Sequence, residues 1–177
     1  HFMDCVEKKV QELVLESQEP ALLLPTPWRK EGKLYNAALL LHHGRIQHSV
    51  FKHHLPNYGV FDEKRIFAKG DIAQPVDLKG TKLGIMVCED MWFSDVAAHL
   101  KAQAADILIV PNGSPFQNDI HIMRQEQAAA RVKETSLPLL YVNQVGGQDE
   151  LVFDGGSFVM DSKGTTTHRF PLFEEHI

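Results

Sequence analysis

Three apolar runs, separated by stretches with helical spacing, constrain this chain more than any other feature. They are Thr81 to Val87, Ile107 to Val110 and Leu137 to Val142. A strand that is apolar at successive positions is buried on both faces, the pattern of a parallel or mixed sheet covered by other layers. Between the first two runs, Val96, Ala97, Leu100 and Ala104 recur at helical spacing behind Ser94, which is expected to cap that helix. Between the second and third, the spacing predicts a long helix over 119–134. Arg124 and Arg131 share one face of it as structural or interface residues.

The flanks read differently. Phe2, Val6, Val10, Leu13 and Val14 make an amphipathic first helix. Ala21 to Leu24 is expected to be a short, fully buried strand closed by Pro25 and Pro27. Leu34 to Leu41 and Ile46 to Phe51 flank the turn His42-His-Gly-Arg45 as a hairpin, and a loop follows from Lys52 to Arg65. Residues 157–161 and 165–170 form a last hairpin around Ser162-Lys-Gly164. Together these elements predict a layered α/β sandwich with a mixed sheet. Ligands in such folds bind at the carboxyl ends of strands. Cys88, Asn112-Gly-Ser114 and Asn143-Gln144 all fall at such ends.

The length of 177 residues suits one domain, and the formal net charge of -5 offers no basic footprint for nucleic acid. No apolar run approaches the roughly 20 residues that span a bilayer, so no membrane partner is expected. The two cysteines, Cys5 and Cys88, make no disulfide framework and fit a reducing, cytoplasmic setting. The ten histidines are scattered without metal-ligand spacing, and no metal site is expected. Position 1 is not Met and nothing precedes the first helix to cap it, so the chain is expected to be a fragment of a longer polypeptide.

Cys88 is the leading nucleophile. It ends an apolar strand and is followed at once by Glu89, Asp90 and Trp92. The strand fixes the backbone, and the turn after it exposes the sulfur and aims N–H groups at the attacked atom. A lone strand cysteine also serves as core filler, so the neighbouring segments carry weight. Lys52 leaves a buried strand and opens the next loop, where it would act as a point charge on an oxyanion. A surface lysine with an apolar stem is the more ordinary account of it on sequence alone.

Four motifs occur in order: Lys-x-x-Leu-Pro-Asn-Tyr-x-Val-Phe-Asp-Glu-x-Arg from Lys52 to Arg65, Cys-Glu-Asp-x-Trp from Cys88 to Trp92, Asn-Gly-Ser-Pro from Asn112 to Pro115, and the block from Tyr141 to Ser157. Together they resemble the nitrilase-type glutaminase domains of glutamine-dependent NAD+ synthetases, over essentially the whole chain. The resemblance implies a four-layer αββα sandwich lacking its N-terminal strand and helix, with residues 1–177 forming a partial carbon–nitrogen hydrolase domain. It implies a Glu-Lys-Cys triad in which Cys88 forms a glutamyl thioester. Lys52, with the backbone N–H of Glu89, would hold the oxyanion. The general-base Glu has no counterpart in residues 1–177 and is expected before the first helix.

By the same resemblance Tyr58, Glu89, Trp92 and Ser114 line a glutamine pocket, and Glu63 is a second carboxylate that orients Lys52. For each of these a structural role also fits: Trp92 as a cover for the sheet, Ser114 as a turn cap, Glu63 as a solvated charge. No cofactor is implied within this domain. ATP and Mg2+ belong to a C-terminal synthetase domain absent from this chain, which would use the released ammonia to amidate nicotinic acid adenine dinucleotide. The implied partners are glutamine, that domain and further copies of the chain. A free-standing nitrilase-superfamily amidase or carbamoylase is the alternative enzyme. Cys88-Glu-Asp-Met-Trp-Phe-Ser94 lacks the aromatic-acid-x-Arg-Phe-Pro run usual there. A non-catalytic assembly fragment is the third alternative, and retention of both Lys52 and Cys88 argues against it.

Overall fold

Helix α1 (Phe2–Glu16) lays Val10 and Val14 onto Ala37, Leu39 and Leu41, with Val6, Leu24, Trp28, Ile46 and Phe51 around them. The sheet beneath it is antiparallel, in the order β1 (Leu22–Lys30), β2 (Lys33–His42), β3 (Arg45–Phe51). Burying an aliphatic side chain of this size contributes about 1.5–3 kcal/mol, enough to dock a helix whose own propensity is marginal. These elements belong to the first of two compact units, His1–Ala73 and Gln74–Ile177. This computed structural model describes residues 1–176.

The second unit carries a six-stranded sheet ordered β11-β10-β7-β6-β5-β4. Its strands are β4 (Val76–Leu78), β5 (Thr81–Ile85), β6 (Ile107–Asn112), β7 (Leu139–Asn143), β10 (Phe158–Met160) and β11 (Thr166–Arg169). The apolar runs are its parallel centre, β5 beside β6 beside β7, and the flanking strands run antiparallel. Helix α2 (Ser94–Ala102) packs on β5, and α3 (Ile120–Thr135) packs on β7 and β10 and against α2. A separate hairpin joins β8 (Val145–Gln148) to β9 (Leu151–Asp154). Each unit is thus helix on sheet, and the expected mixed sheet with a parallel core is present.

Several expectations need correction. The strand expected at Ala21 to Leu24 runs on to Lys30 through Pro25 and Pro27, and it is mostly half-exposed rather than fully buried. Its only neighbour among the described residues is β2, so it is an edge strand. Two prolines two residues apart turn their missing N–H groups to the same side, which an edge tolerates. Pro111 likewise does not break β6. Met86 N–H donates to Ile109 O, so Ile109 faces β5, and Pro111, two residues on, faces the place where β5 has already ended at Ile85. Ser94 does not cap α2. Phe93 holds the cap position in extended conformation, and no side-chain cap bond forms. Ala104, expected within that helix, lies beyond its end with φ +61°.

Two hairpins were hidden behind ordinary residues. Glu31-Gly32 and Lys79-Gly80 turn β1 into β2 and β4 into β5, as His43-Gly44 turns β2 into β3, all with positive φ at both positions. That is the turn whose twist matches paired strands.

Candidate active site

The chemistry-bearing residues form two clusters, one in each unit. In the second unit, β5 delivers the chain to Cys88, which takes φ +51° and is half-buried. A non-glycine residue in the left-handed region carries about 1–3 kcal/mol of strain, which the surroundings must overcome. They do so here through Asp90. Its carboxylate accepts the Val87 N–H at 3.0 Å, and its own N–H donates to Val87 O at 3.2 Å. The lock closes a 3-10 turn over Cys88–Trp92 in which Glu89 and Asp90 are buried and Trp92 is half-buried. A thiol on a locked, strained strand-end turn has little backbone freedom, which is what a nucleophile needs.

Beside it stand the ends of β6 and β7, where Asn112 is in register with Asn143. Ser114 follows, half-buried. Its N–H donates to Asn143 Oδ1 at 2.9 Å, and Asn143 Nδ2 donates back to Ser114 O at 3.2 Å and to Gly155 O at 3.1 Å. Arg124, on α3 and 2% exposed, donates from Nε to Ser114 Oγ at 3.2 Å. It also donates from Nη2 to Ser114 O at 2.8 Å and Pro115 O at 3.2 Å. Nη1 meets both oxygens of Asp154, 1% exposed, at 2.9 Å each. A buried pair is tolerated only when its remaining donors and acceptors are satisfied, and these are. Tyr141 is buried and stacks on Phe158 with centroids 4.8 Å apart. Burial pushes its phenol well above the ordinary range and the Arg124 guanidinium opposes this, while Cys88 acts in the same direction as burial. The phenol therefore stays protonated.

In the first unit, Lys52 follows β3 and is 1% exposed, so the surface-lysine alternative does not hold. Its N–H donates to Asn36 O at 2.8 Å and its O accepts from Gly70 N–H at 2.9 Å, continuing the pairing past the strand end. Nζ lies 2.7 Å from Glu63 Oε1, and Asn36 Nδ2 donates to Glu63 Oε2 at 3.3 Å. Glu63 opens a short 3-10 turn and its N–H bonds Pro56 O at 3.2 Å. It is therefore no solvated loop charge. Tyr58 is 57% exposed, its ring 5.9 Å from that of Phe61. Lys52, Tyr58 and Glu63 thus belong to the first unit, and Cys88, Glu89, Trp92 and Ser114 to the second.

Sequence reasoning missed Asn36, Asp90 and Asp154 as supports, and it placed Asn143 only at a strand end. Glu19 and His42 lie 3.1 Å apart, and the His42 and His43 rings stack at 3.7 Å. The group ties a loop to a hairpin, and each of Glu19, His42 and His43 brings a metal-ligating type of atom within 4.8 Å of the others, a grouping the scattered spacing of the histidines did not predict. None of the helices among the described residues is long and apolar enough to cross a membrane.

A thiol on a strained turn at the carboxyl end of a parallel strand is a place where an α/β protein can carry a nucleophile. Comparison with known proteins makes that specific. The carbon–nitrogen hydrolase family model matches residues 9–177, and the chain belongs to that family. It is 46% identical over 158 residues to the glutamine-dependent NAD(+) synthetase of Rhodobacter capsulatus, covering 89% of this chain and 29% of that one. The Xanthomonas campestris enzyme of the same name is 44% identical over 93% of this chain and 30% of its own length. The chain therefore spans about 30% of the relatives it matches. Among solved structures, the glutamine-dependent NAD+ synthetase of Acinetobacter baumannii superposes with a TM-score of 0.90 at 35% identity, over 96% of this chain and 32% of that one. A carbon–nitrogen hydrolase from Helicobacter pylori superposes with a TM-score of 0.86 at 25% identity, over 98% and 66%. The fold is that of the nitrilase superfamily, as expected.

Proposed function

We propose that this chain is the glutaminase part of a glutamine-dependent NAD+ synthetase. The observation that carries the reading is Cys88, held at φ +51° on a carboxylate-locked turn in a chain 46% identical to such a synthetase. Cys88 Sγ attacks the side-chain amide carbon of glutamine. The C–N bond breaks, the thiol proton leaves with ammonia, and a glutamyl thioester remains. Water then adds to the thioester carbon, the C–S bond breaks, and glutamate and the thiol are released.

Lys52 supplies positive charge to the oxyanion, and Glu63, supported by Asn36, holds Lys52 in one orientation. Glu89, Trp92, Ser114 and Tyr58 bind glutamine. The proton acceptor is a Glu ahead of residue 1. ATP and Mg2+ serve a synthetase domain elsewhere in the polypeptide, where the ammonia amidates nicotinic acid adenine dinucleotide. That makes the whole protein a ligase, a cytoplasmic homo-oligomer. Free-standing amidases share the fold, but the higher identity to the synthetases favours the first reading.

Full-length product of the gene carrying this chain, wild type beside Cys88→Ala, decides the matter. Glutamate release is followed with and without ATP and nicotinic acid adenine dinucleotide. Wild type should release glutamate with NAD+ in step, and Cys88→Ala should release none. Untouched glutamine, or a fully active variant, would refute the reading.

A further inference from the structure

We infer that Arg124 is a positioning residue that makes the Ser114 hydroxyl a dedicated hydrogen-bond donor, so that Ser114 binds the carboxylate of the substrate and not its ammonium. The inference rests on the glutaminase reading, in which Ser114 touches substrate.

A serine hydroxyl has one proton to give and two lone pairs to receive with, and normally rotates to suit its partner. Ser114 has lost most of that freedom. Its N–H and C=O are fixed by Asn143 and Arg124. Its Oγ receives a proton from Arg124 Nε at 3.2 Å. Accepting from a cationic donor polarises the hydroxyl and strengthens it as a donor in turn. The guanidinium cannot swing away, because Nη1 is held at 2.9 Å by both oxygens of Asp154. The buried Tyr141 phenol stays protonated and also hydrogen-bonds the Ser114 side chain, and as a donor it takes the second lone pair of Oγ. What Ser114 has left to offer is its proton. Asp154 offsets the charge of Arg124, so the direction of one hydrogen bond, not net charge, is what the substrate meets.

The experiment uses full-length enzyme with three primary amides: glutamine, glutaramate, which keeps the carboxylate but lacks the amine, and 4-aminobutyramide, which keeps the amine but lacks the carboxylate. Ser114→Ala and Arg124→Lys should each raise KM for glutamine and glutaramate about tenfold, the loss of one hydrogen bond to a charged group. Their kcat should stay within about twofold, and KM for 4-aminobutyramide should not move. The double variant should match Ser114→Ala alone, because Arg124 acts through that hydroxyl.

Should Arg124→Lys fail to fold, the neutral pair Arg124→Gln with Asp154→Asn replaces it, since neither charge is then left alone. A KM rise confined to 4-aminobutyramide, additive effects in the double variant, or equal losses on all three amides overturns the inference and leaves the glutaminase reading intact. A wild type inactive on all three overturns both.

Discussion

Gly70 is buried, and its φ lies outside the left-handed region, so no conformational need explains a glycine there. Space does. A Cβ at this position would lie 2.5 Å from Phe51 Cβ, 2.5 Å from Phe51 O and 2.8 Å from Phe51 C. Ordinary contact begins at 3.4 Å, so the shortfall is about 0.9 Å, and two of the three obstructing atoms are backbone that cannot rotate aside. Gly70→Ala must therefore push apart the Gly70 segment and the end of β3, where Lys52 begins. Overpacking of this kind costs about 1–3 kcal/mol, here at the upper end. Weakening the Gly70 N–H bond to Lys52 O, 2.9 Å in the structure, adds to it. A total of about 3 kcal/mol lowers Tm by roughly 6–12 °C for a chain of this size.

The same shift moves Lys52 by a sizeable fraction of an ångström against Glu63, and a misplacement near 1 Å can lower turnover about 100-fold. Thermal unfolding by circular dichroism reads the first effect and glutamate release by the full-length enzyme reads the second. Gly32→Ala is the control: its φ is +75° with nothing within 4 Å, so only left-handed strain of about 1–2 kcal/mol applies, and activity should hold. A Gly70→Ala chain that melts within about 1 °C of wild type, or no lower than Gly32→Ala, would show the steric argument to be wrong.

Four more outcomes are expected. Glu63→Gln leaves buried Lys52 without its anionic partner, and urea unfolding should show a loss of about 3–5 kcal/mol. Asp62→Asn, at the exposed Arg65 pair, should change nothing measurable. Asp90→Ala unlocks the Cys88 turn, so iodoacetamide labelling of Cys88 in a Cys5→Ser background should change rate several-fold. Asp90→Asn, whose Oδ1 can still accept from Val87 N–H, should restore most of it; equal rates in all three would exclude the lock. Burial, helped by Lys30, lowers the pKa of His48 below 6.5 in the folded chain. The unfolded chain then binds the proton more readily, so the His48 contribution is present above pH 6.5 and is lost as pH falls through that value toward the folded pKa. His48→Gln should flatten this part of the stability profile, and an unchanged slope would contradict it.

The parallel centre of the larger sheet, helix α3 and the position of Cys88 at a strand end were legible because each is written in consecutive residues. Apolar runs, helical spacing and turn residues are local signals. The strand through Pro25 and Pro27 was not, because proline is punctuation only where its N–H is needed, and whether a strand is an edge depends on the rest of the sheet. The hairpins at Glu31-Gly32 and Lys79-Gly80 were missed for lack of the Asn or Asp that usually precedes glycine there. The supports were least legible of all. Arg124 and Asp154 are 30 residues apart and Asn36 and Glu63 are 27 apart, and no periodicity links either pair.

That division has a physical origin. At the carboxyl end of a strand the ladder stops, and the last backbone groups must find other partners or stay unsatisfied. Val87 finds Asp90, Ser114 finds Asn143 and Arg124, and Lys52 finds Asn36 and Gly70. Each partner satisfies the backbone and, in doing so, holds in place a residue to which the proposed function gives chemistry. A reactive residue can be recognised by its type and its place on a strand. Its support is an ordinary polar residue that gains meaning only through a contact the fold creates. Replacing a support should therefore leave the reactive group present but misdirected, with turnover or KM altered more than the identity of the reaction. Under the proposed function, replacing Cys88 itself should remove the covalent step altogether.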